Sequence, residues 1–407
     1  MRVLVINCGS STLKFELTEV LNEAPHSRGQ RLASGVIDSI GGQATIELRA
    51  EGREVLQEVA YLTDHGGATR RVLGWMDAVG LAGTGGLDAV GHRIVHGGDR
   101  FVRPTIIDGQ VLEAIEALSD LAPLHNEPSL NAIRAAREAL GRDVPMVAVF
   151  DTAFHRTMPE RASGYAIPPA LAEKHGIRRY GFHGIAHQYM TERYAAIAGT
   201  TPDRVKLITL QLGNGCSATA VENGRSLDTS MGFTPLEGLM MGTRSGDVDP
   251  SLAGFLARKE EVGFEEVEGW LNRRSGLLGV SGRSSDMRKL LEAEMEGDGR
   301  AALAVDMFCY RVRKQIGAYL AALGGAEAVI FGGGIGENAA AVRARICAGM
   351  AWCGLILDPE RNAAALGSEA RISADGAAVH AYVTPVDEAV IIASETTRCL
   401  RQQARDA

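Results

Sequence analysis

The amino-acid sequence predicts an α/β protein made of two duplicated domains with mixed sheets. One observation is a repeat: an apolar β-rich run passes through Gly, Asn and Ser into a second β-rich run at residues 3–15 and again at 207–221. Strand-like runs also alternate with helical runs along the chain. The length of 407 residues favours more than one domain. Turns of this kind expose backbone N–H groups and hydroxyls, which suits a phosphate.

The predicted elements follow in chain order. Short apolar runs predict strands at residues 2–6, 13–18, 89–95, 145–150, 207–212, 217–222 and 328–331. Apolar residues recurring on one helical face predict helices at 111–119, 129–140 and 301–323. Helices are also expected at 338–350, after a glycine loop, and at 388–401. Ser129 is the expected N-cap of the second helix. The apolar stripe of the third is expected to hold Leu303, Phe308, Val312, Ile316 and Leu320. Hinges are expected near 151–152 and 385–387.

The composition argues against several classes of partner. A net charge of −8 without a Lys/Arg run argues against nucleic acid. No apolar run approaches the length that spans a bilayer, and the chain enters a strand at once, without a signal-peptide layout, so no membrane partner is expected. The six cysteines form no CxxC pair, so we expect reduced thiols in a cytoplasmic protein.

Several familiar motifs fail on their context. The chain has no GxxxxGK[ST] phosphate loop and no GxSxG elbow. Residues 213–218 match GxGxxA, but a strand follows them where a dinucleotide site requires a helix. The pairs His92/His96 and His183/His187 have i,i+4 spacing without the Glu of HExxH, which disfavours zinc.

Other segments carry more specific signals. Residues 331–338 place glycines between a strand and a helix, which favours nucleotide contact over an ordinary turn, since such a turn needs one glycine. The irregular segment 229–250 is less polar than a solvated loop and presents Arg244. Arg93 ends an apolar strand, where a surface ion pair is the ordinary reading. His125, Asp151 and the residues around them are more ordinarily core or capping groups.

Together these features match the needs of phosphoryl transfer. Arg93, Arg244 and His183 supply cations and donors, and the repeated hairpins and the glycine segment supply phosphate contacts. Asp151 adds a carboxylate. Little covalent chemistry is left for the protein to perform.

Nine segments in register resemble the acetate kinase family, which belongs to the acetate and sugar kinase/heat-shock chaperone/actin superfold. The first is Ile6-Asn7-Cys8-Gly9-Ser10-Ser11-Thr12-Leu13-Lys14-Phe15. The others lie at 91–99, 122–126, 150–155, 180–184, 212–215, 240–250, 279–288 and 332–338. They cover nearly the whole chain.

This resemblance implies a fold and a reaction. Two actin-like (ribonuclease H-like) domains would hold nucleotide and substrate in an interdomain cleft. The first would comprise 1–151 with the returning C-terminal helix in 386–407, and the second 152–385. The reaction would transfer phosphoryl reversibly from ATP to acetate, giving acetyl phosphate and ADP, with Mg²⁺ or Mn²⁺. A homodimer through the second domain would be expected.

The resemblance also implies residue roles. Catalytic positions would be Asp151, His183 and Arg244. The acid would contact Arg93, His125, Val95, Leu124, Phe182 and Pro235. The nucleotide would contact Lys14, Gln211, Leu212, Gly213, Asn214, Gly215, Asp286, Met287, Arg288, Gly334, Ile335, Gly336, Glu337 and Asn338. The metal would be held through Asn7 and Glu388.

The chain departs from the family pattern at four places. Gln211 replaces a His, Ile185-Ala186 replaces Thr-Ser, residues 386–389 replace T-N-E-E, and Cys8 replaces an Ala. A propionate or butyrate kinase is the nearest alternative, because one methylene is worth only about 1–3 kcal/mol. Val95 favours acetate. An actin-like ATPase with a conformational output is the alternative from another class.

Overall fold

The computed structural model describes residues 1–20, 29–82, 86–118 and 123–406, the side chains of 123–125 excepted. The strands are β1 Arg2–Cys8, β2 Thr12–Glu19, β3 Gln30–Asp38, β4 Gly42–Ala50, β5 Leu56–Leu62, β6 Ala89–Ile94, β7 Thr105–Ile106, β8 Met146–Phe150, β9 Lys206–Leu212, β10 Cys216–Glu222, β11 Arg225–Thr229, β12 Ala328–Gly332, β13 Ala370–Arg371 and β14 His380–Val383.

The helices include two long ones, in the second half of the chain and at its C-terminal end. They are α1 His65–Ala78, α2 Gly109–Ala117, α3 Pro123–Leu140, α4 Glu160–Ser163, α5 Pro169–His175, α6 Gly184–Ile197, α7 Pro250–Lys259, α8 Phe264–Arg273, α9 Gly276–Ser281, α10 Met287–Met295, α11 Gly299–Leu323, α12 Gly333–Asn338, α13 Ala340–Cys347, α14 Pro359–Ala364 and α15 Glu388–Asp406. Within the described ranges, no helix combines the length and the apolar character that crossing a bilayer requires.

The chain forms two compact units. The first contains Met1–Ala153 and Asp387–Ala407, and the second contains Phe154–Val386. The first unit holds one sheet with the strand order β5-β4-β3-β2-β1-β6-β8-β7. The second holds a sheet with the order β11-β10-β9-β12-β14-β13.

The two sheets repeat one topology. The first strand of each unit pairs antiparallel with the second strand, as β1 with β2 and β9 with β10. On its other side it pairs parallel, as β1 with β6 and β9 with β12. The next pair is parallel again, as β6 with β8 and β12 with β14. The predicted duplication of an α/β domain with mixed sheets is therefore confirmed.

In the first unit, two helices pack on the central strands β1 and β6. β1 is buried along most of its length, and α3 and α15 both pack on β1 and β6. A Cβ at Gly91 in β6 would lie 2.5 Å from the Thr396 hydroxyl oxygen and 2.8 Å from an Ile392 methyl. Only glycine lets the C-terminal helix approach β6 this closely.

Three predictions about helices were wrong. Ser129 does not cap a helix, because α3 begins at Pro123 and continues through Pro128; the Ser129 hydroxyl donates to the Arg93 carbonyl at 3.1 Å. Leu303 is 43% exposed, because the buried face of α11 passes through Ala301, Ala304 and Val305.

The third error concerns the glycine segment. The sequence predicted a loop followed by a helix over 338–350, whereas Gly333–Asn338 is itself helical and a separate helix runs from Ala340 to Cys347. The intervening Ala339 has φ −105° and ψ 80°, which breaks the helix. Glycine's low helix propensity is overridden here by tertiary contacts.

Candidate active site

Three parallel strands of the first unit bring polar side chains to one edge. β1 pairs with β6 through Ile6 and His92, and β6 pairs with β8 through Ile94 and Phe150. Asn7, Arg93 and Asp151 therefore lie near the carboxyl ends of adjacent strands. This is where open α/β sheets place their ligand sites.

Arg93 is the centre of this group. It donates from Nε and Nη2 to the two carboxylate oxygens of Asp151, the Nε bond being 3.1 Å long. Nη1 donates to the Asn7 amide oxygen at 3.0 Å. The Asn7 amide nitrogen in turn donates to Glu388 Oε2 at 2.7 Å. The paired arrangement with Asp151 fixes both the direction and the plane of the guanidinium.

The charges of this group are unbalanced. The Asp151 side chain is 1% exposed, and Glu388 Oε2 lies 3.8 Å from Arg93 Nε. Burial alone would lower the pKa of Arg93, but Asp151 and Glu388 raise it above its ordinary value, so the guanidinium stays charged. One cation and two carboxylates leave a formal charge of −1, which favours a further cation.

A second arginine braces the start of α15. Arg31 pairs with Glu16 at 2.6 Å and with Asp387 at 3.2 Å. The Glu16 carboxylate also accepts from the Thr18 hydroxyl at 2.9 Å. Since Asp387 immediately precedes Glu388, this network holds the segment that carries the Glu388 carboxylate. No local sequence pattern predicts this network, because Arg31 and Asp387 are 356 residues apart.

The second unit has its own polar group. His183 lies at the N-terminus of α6 with φ 57°, a left-handed conformation that costs energy for a residue other than glycine. A Cβ placed on Gly215 would lie 3.5 Å from His183 Nε2 and 3.5 Å from Arg244 Nη1. The imidazole and the guanidinium therefore converge on the space above this glycine.

The segment carrying Arg244 is fixed by buried contacts. Arg244 donates to the Pro235 carbonyl at 3.3 Å, and burial lowers its pKa. The Gly242 N–H donates to the Asn214 carbonyl at 2.9 Å, and a Cβ on Gly242 would lie 1.9 Å from the Asn214 side-chain oxygen. Glycine at position 242 allows this close approach, and the hydrogen bond to Asn214 holds segment 240–244 against the turn after β9.

Glu237 forms a second anchor for the same segment. Its carboxylate accepts from the Tyr165 hydroxyl and from Arg179. Arg179 also donates to the carbonyl oxygens of Thr229, Ser230 and Met231, each at 3.2 Å. Neither Tyr165 nor Arg179 stood out in the sequence, since each is an isolated polar residue there.

The glycine segment differs from the expected helix N-terminal site. Gly333 has φ 75°, and a Cβ there would lie 2.6 Å from the Leu212 carbonyl oxygen. Its N–H is already donated to Glu337 Oε1 at 2.9 Å, and the same oxygen accepts from the Val386 N–H at 3.0 Å. The Glu337 carboxylate thus holds the backbone of the turn.

The remaining expected nucleotide residues lie at several positions. Gln211 has a buried side-chain oxygen without a hydrogen-bond partner. Asp286 accepts from the Arg288 backbone, and the Arg288 side chain is 86% exposed. Lys14 is exposed and lies directly opposite Asn7 in the β1–β2 pair. Leu212, Met287 and Gly336 are buried, Gly213 and Ile335 are half-buried, and Asn214, Gly334 and Asn338 are exposed.

The expected acid pocket is only partly described. Val95 is buried at the end of β6 in the first unit. In the second unit Phe182 is buried and Pro235 is half-buried. The side chains of Leu124 and His125 lie outside the described residues.

The donors present fit a divalent metal ion that takes most of its ligands from outside the protein. In the part of the chain that the structure describes, no three His, Cys, Asp or Glu side chains are grouped to hold a metal. Asn7 and Glu388 offer an amide and a carboxylate that already contact each other. Mg²⁺ is commonly bound through one or two carboxylates, with phosphates and water completing its shell.

Comparison with known proteins gives consistent matches. The model of the acetokinase family matches residues 2–394. An acetate kinase of Solibacter usitatus is 48% identical over 98% of this chain and 98% of its own. Two solved structures each have a TM-score of 0.89 and cover 98% of this chain and 99% of theirs. They are an acetate kinase of Porphyromonas gingivalis at 40% identity and a propionate kinase of Francisella tularensis at 37%.

Proposed function

Because this chain belongs to the acetokinase family, we infer that it transfers a phosphoryl group reversibly between ATP and acetate, giving ADP and acetyl phosphate. The observation that carries the mechanism is the pair of cation groups: Arg93 held by Asp151 in the first unit, and Arg244 with His183 in the second. The difficulty in this reaction is to bring a carboxylate to an anionic phosphate, and cations offset that repulsion.

We propose that Arg93 binds the carboxylate of the acid. Acetate resembles an Asp or Glu side chain, whose pKa is about 4, so it is ionised at neutral pH and is already a nucleophile. A strong base is therefore unnecessary. Both Asp151 oxygens accept from Arg93, which supports a role for Asp151 in orienting this arginine rather than in removing a proton.

His183 and Arg244 would act on the phosphoryl group during in-line transfer. Both side chains point at the space above Gly215, so an oxygen there would receive donors from two directions. Donors fixed in place before the reaction stabilise developing charge at little reorganisation cost. The nucleotide would be held by residues 211–215, 286–288 and 334–338 with Lys14.

The divalent metal is proposed to be Mg²⁺, with Mn²⁺ as a substitute. Asn7 and Glu388 would hold the metal beside the net negative charge of the Arg93, Asp151 and Glu388 side chains. When bound, it would neutralise charge on the nucleotide phosphates. The protein would supply the Glu388 carboxylate, whose segment is held by the ion pair between Arg31 and Asp387.

Acetate is proposed as the preferred acid, with propionate as the competing substrate. Val95 is buried, and in the proposed acid pocket it would take up space that a longer acid needs. The likeness to a propionate kinase gives the alternative a specific basis. Discrimination by one methylene is modest, about tenfold to two-hundredfold.

The test is acyl phosphate formation, trapped as the hydroxamate, with ATP, Mg²⁺ and formate, acetate, propionate or butyrate. An acetate optimum supports the proposal in full. A propionate or butyrate optimum would keep the reaction and overturn the reading of the pocket. ATP hydrolysis that is independent of any acid would support a conformational ATPase instead.

We also propose a homodimer formed through the second unit, in the cytoplasm where ATP is available. Large apolar side chains of this unit are exposed at Phe255, Phe264 and Trp352. Exposed aromatic residues are typical of protein interfaces. Light scattering after size-exclusion chromatography would give the mass, and a monomer at micromolar concentration would refute the dimer.

A further inference from the structure

A buried chain of hydrogen bonds extends behind His183. Its Nδ1 lies 2.9 Å from the Ser217 hydroxyl, which lies 2.7 Å from Nε2 of His187. Nδ1 of His187 lies 2.8 Å from the Thr209 hydroxyl. Ser217, His187 and Thr209 are fully buried, on β10, α6 and β9 respectively.

Thr209, at the end of the series away from His183, determines which group donates in each hydrogen bond. The Thr209 hydroxyl donates its single proton to the Thr219 carbonyl at 3.5 Å, so it accepts from His187 Nδ1–H. Burial, with smaller effects of His155 and His183, lowers the pKa of His187 well below its ordinary value, so this ring is neutral. A neutral ring that donates at Nδ1 accepts at Nε2, and Ser217 therefore donates there.

The Ser217 oxygen is then an acceptor for His183. Because its proton is directed to His187, it accepts from Nδ1–H of the His183 ring. The hydrogen bond at one imidazole nitrogen decides the protonation of the other. The other nitrogen, Nε2, is on the side of the ring near Gly215 and Arg244.

We propose that this chain keeps a proton on Nδ1 of His183, so that His183 donates to the phosphoryl group from Nε2 only as the imidazolium. Ser217 and His187 are then positioning residues for the reaction. This inference rests on the proposed function, because the proposed function has His183 act on the phosphoryl group during transfer. The proton on Nε2 comes from solvent, and no covalent bond to the histidine is formed.

Charged and titratable groups around the ring are consistent with this assignment. Arg244 opposes the imidazolium from its loop, and an anionic phosphoryl group in the same space offsets that repulsion. On α6 itself the neighbour is the neutral His187. The ring of His155 is 5.8 Å from that of His187, and burial lowers the pKa of His155 to about 4, so it is also neutral.

The direct experiment is ¹⁵N NMR of the full chain labelled at histidine, with the His183 signals assigned by their loss in His183→Asn. Long-range proton–nitrogen correlations distinguish a protonated ring nitrogen from an unprotonated one. At alkaline pH we expect Nδ1 to be protonated and Nε2 unprotonated, with Nε2 titrating as the pH falls. The reverse tautomer, or an average of the two, would overturn the proposal. This measurement needs neither turnover nor a folded Ser217 variant.

Kinetics supply a second test with a matched control. Ser217→Ala removes the acceptor, and we expect kcat to fall about tenfold while KM for acetate is unchanged. Ser226→Ala also removes a serine–histidine hydrogen bond of 2.9 Å, the one to His155. This bond is not part of the series that links His183, Ser217, His187 and Thr209. We expect Ser226→Ala to leave kcat and its pH profile unchanged. Equal effects of the two variants would show a merely structural role.

The outcomes separate this inference from the proposed function. If the unsubstituted chain forms no acyl phosphate, the proposed function fails whatever the NMR result. If acetyl phosphate forms but His183 carries its proton on Nε2 at alkaline pH, the function stands and the tautomer assignment is wrong.

Discussion

Replacement of Asp151 by Asn separates two roles for this carboxylate. The substitution keeps the shape of the side chain and removes its charge. In the structure both carboxylate oxygens accept from Arg93, and the side chain is 1% exposed. Asparagine can accept only one of these bonds, and its amide nitrogen would oppose a guanidinium N–H.

The magnitude follows from those contacts. A hydrogen bond to a charged group contributes about 1.5–3 kcal/mol, and losing one while weakening the other costs about 3 kcal/mol. If Asp151 orients Arg93 for the acid, most of this cost appears in acid binding. We then expect KM for acetate to rise about a hundredfold in Asp151→Asn, because each 1.4 kcal/mol is tenfold.

The assay is hydroxamate trapping over a range of acetate concentrations and pH values. Asp387→Asn is the matched control, since it removes the same charge beside Glu388 but from a residue paired with Arg31. We expect a much smaller rise in KM for acetate in this control. A lost kcat with an unchanged KM in Asp151→Asn would refute the orienting role and favour a base. Circular dichroism of both variants would check that they are folded.

Three further predictions follow from the same structure. Arg244→Ala should lower kcat by roughly 10²-fold or more with folding intact, and near-normal turnover would remove it from the mechanism. Val95→Ala should shift the ratio of kcat/KM toward propionate by about tenfold, whereas an unchanged ratio would contradict the pocket assignment. Burial lowers the pKa of His92 to about 3, with a smaller effect of Arg137. Because the unfolded chain binds this proton near pH 6.5, stability falls by about 1.4 kcal/mol per pH unit from there toward pH 3. His92→Leu should remove that part of the acid sensitivity in urea unfolding at pH 7 and pH 5, and an equal loss in both proteins would contradict it.

The sequence predicted the central strands well, since each is a short apolar run. It did not reveal β3, β4 and β5, whose residues alternate with charged and small ones and include the exposed Val59 and Tyr61. These strands are stabilised by neighbours in the sheet, which a local pattern does not contain. The error at Ser129 has a similar origin, because a proline inside a helix usually marks its boundary.

Some contacts of the candidate site can be predicted from the sequence, and others cannot. Asn7 and Arg93 lie near the carboxyl ends of β1 and β6, and Asp151 directly follows β8, so their meeting at one sheet edge is predictable from a parallel topology. The brace formed by Arg31 and Asp387 is not, since it joins distant segments. The i,i+4 spacing of His183 and His187 places them one helical turn apart, and the Ser217 hydroxyl joins the two rings.

The repeated strand order has an evolutionary consequence. By strand register, Arg93 near the end of β6 corresponds to Gly332 at the end of β12, and Asp151 after β8 corresponds to Val386, three residues after the end of β14. An ancestor of half the length would have offered one such edge, which then had to serve every ligand. In the present chain, ion pairs lie at the strand ends of the first unit and backbone contacts at those of the second. Divergence therefore required changes in the residues at the strand ends while the order of the strands stayed the same.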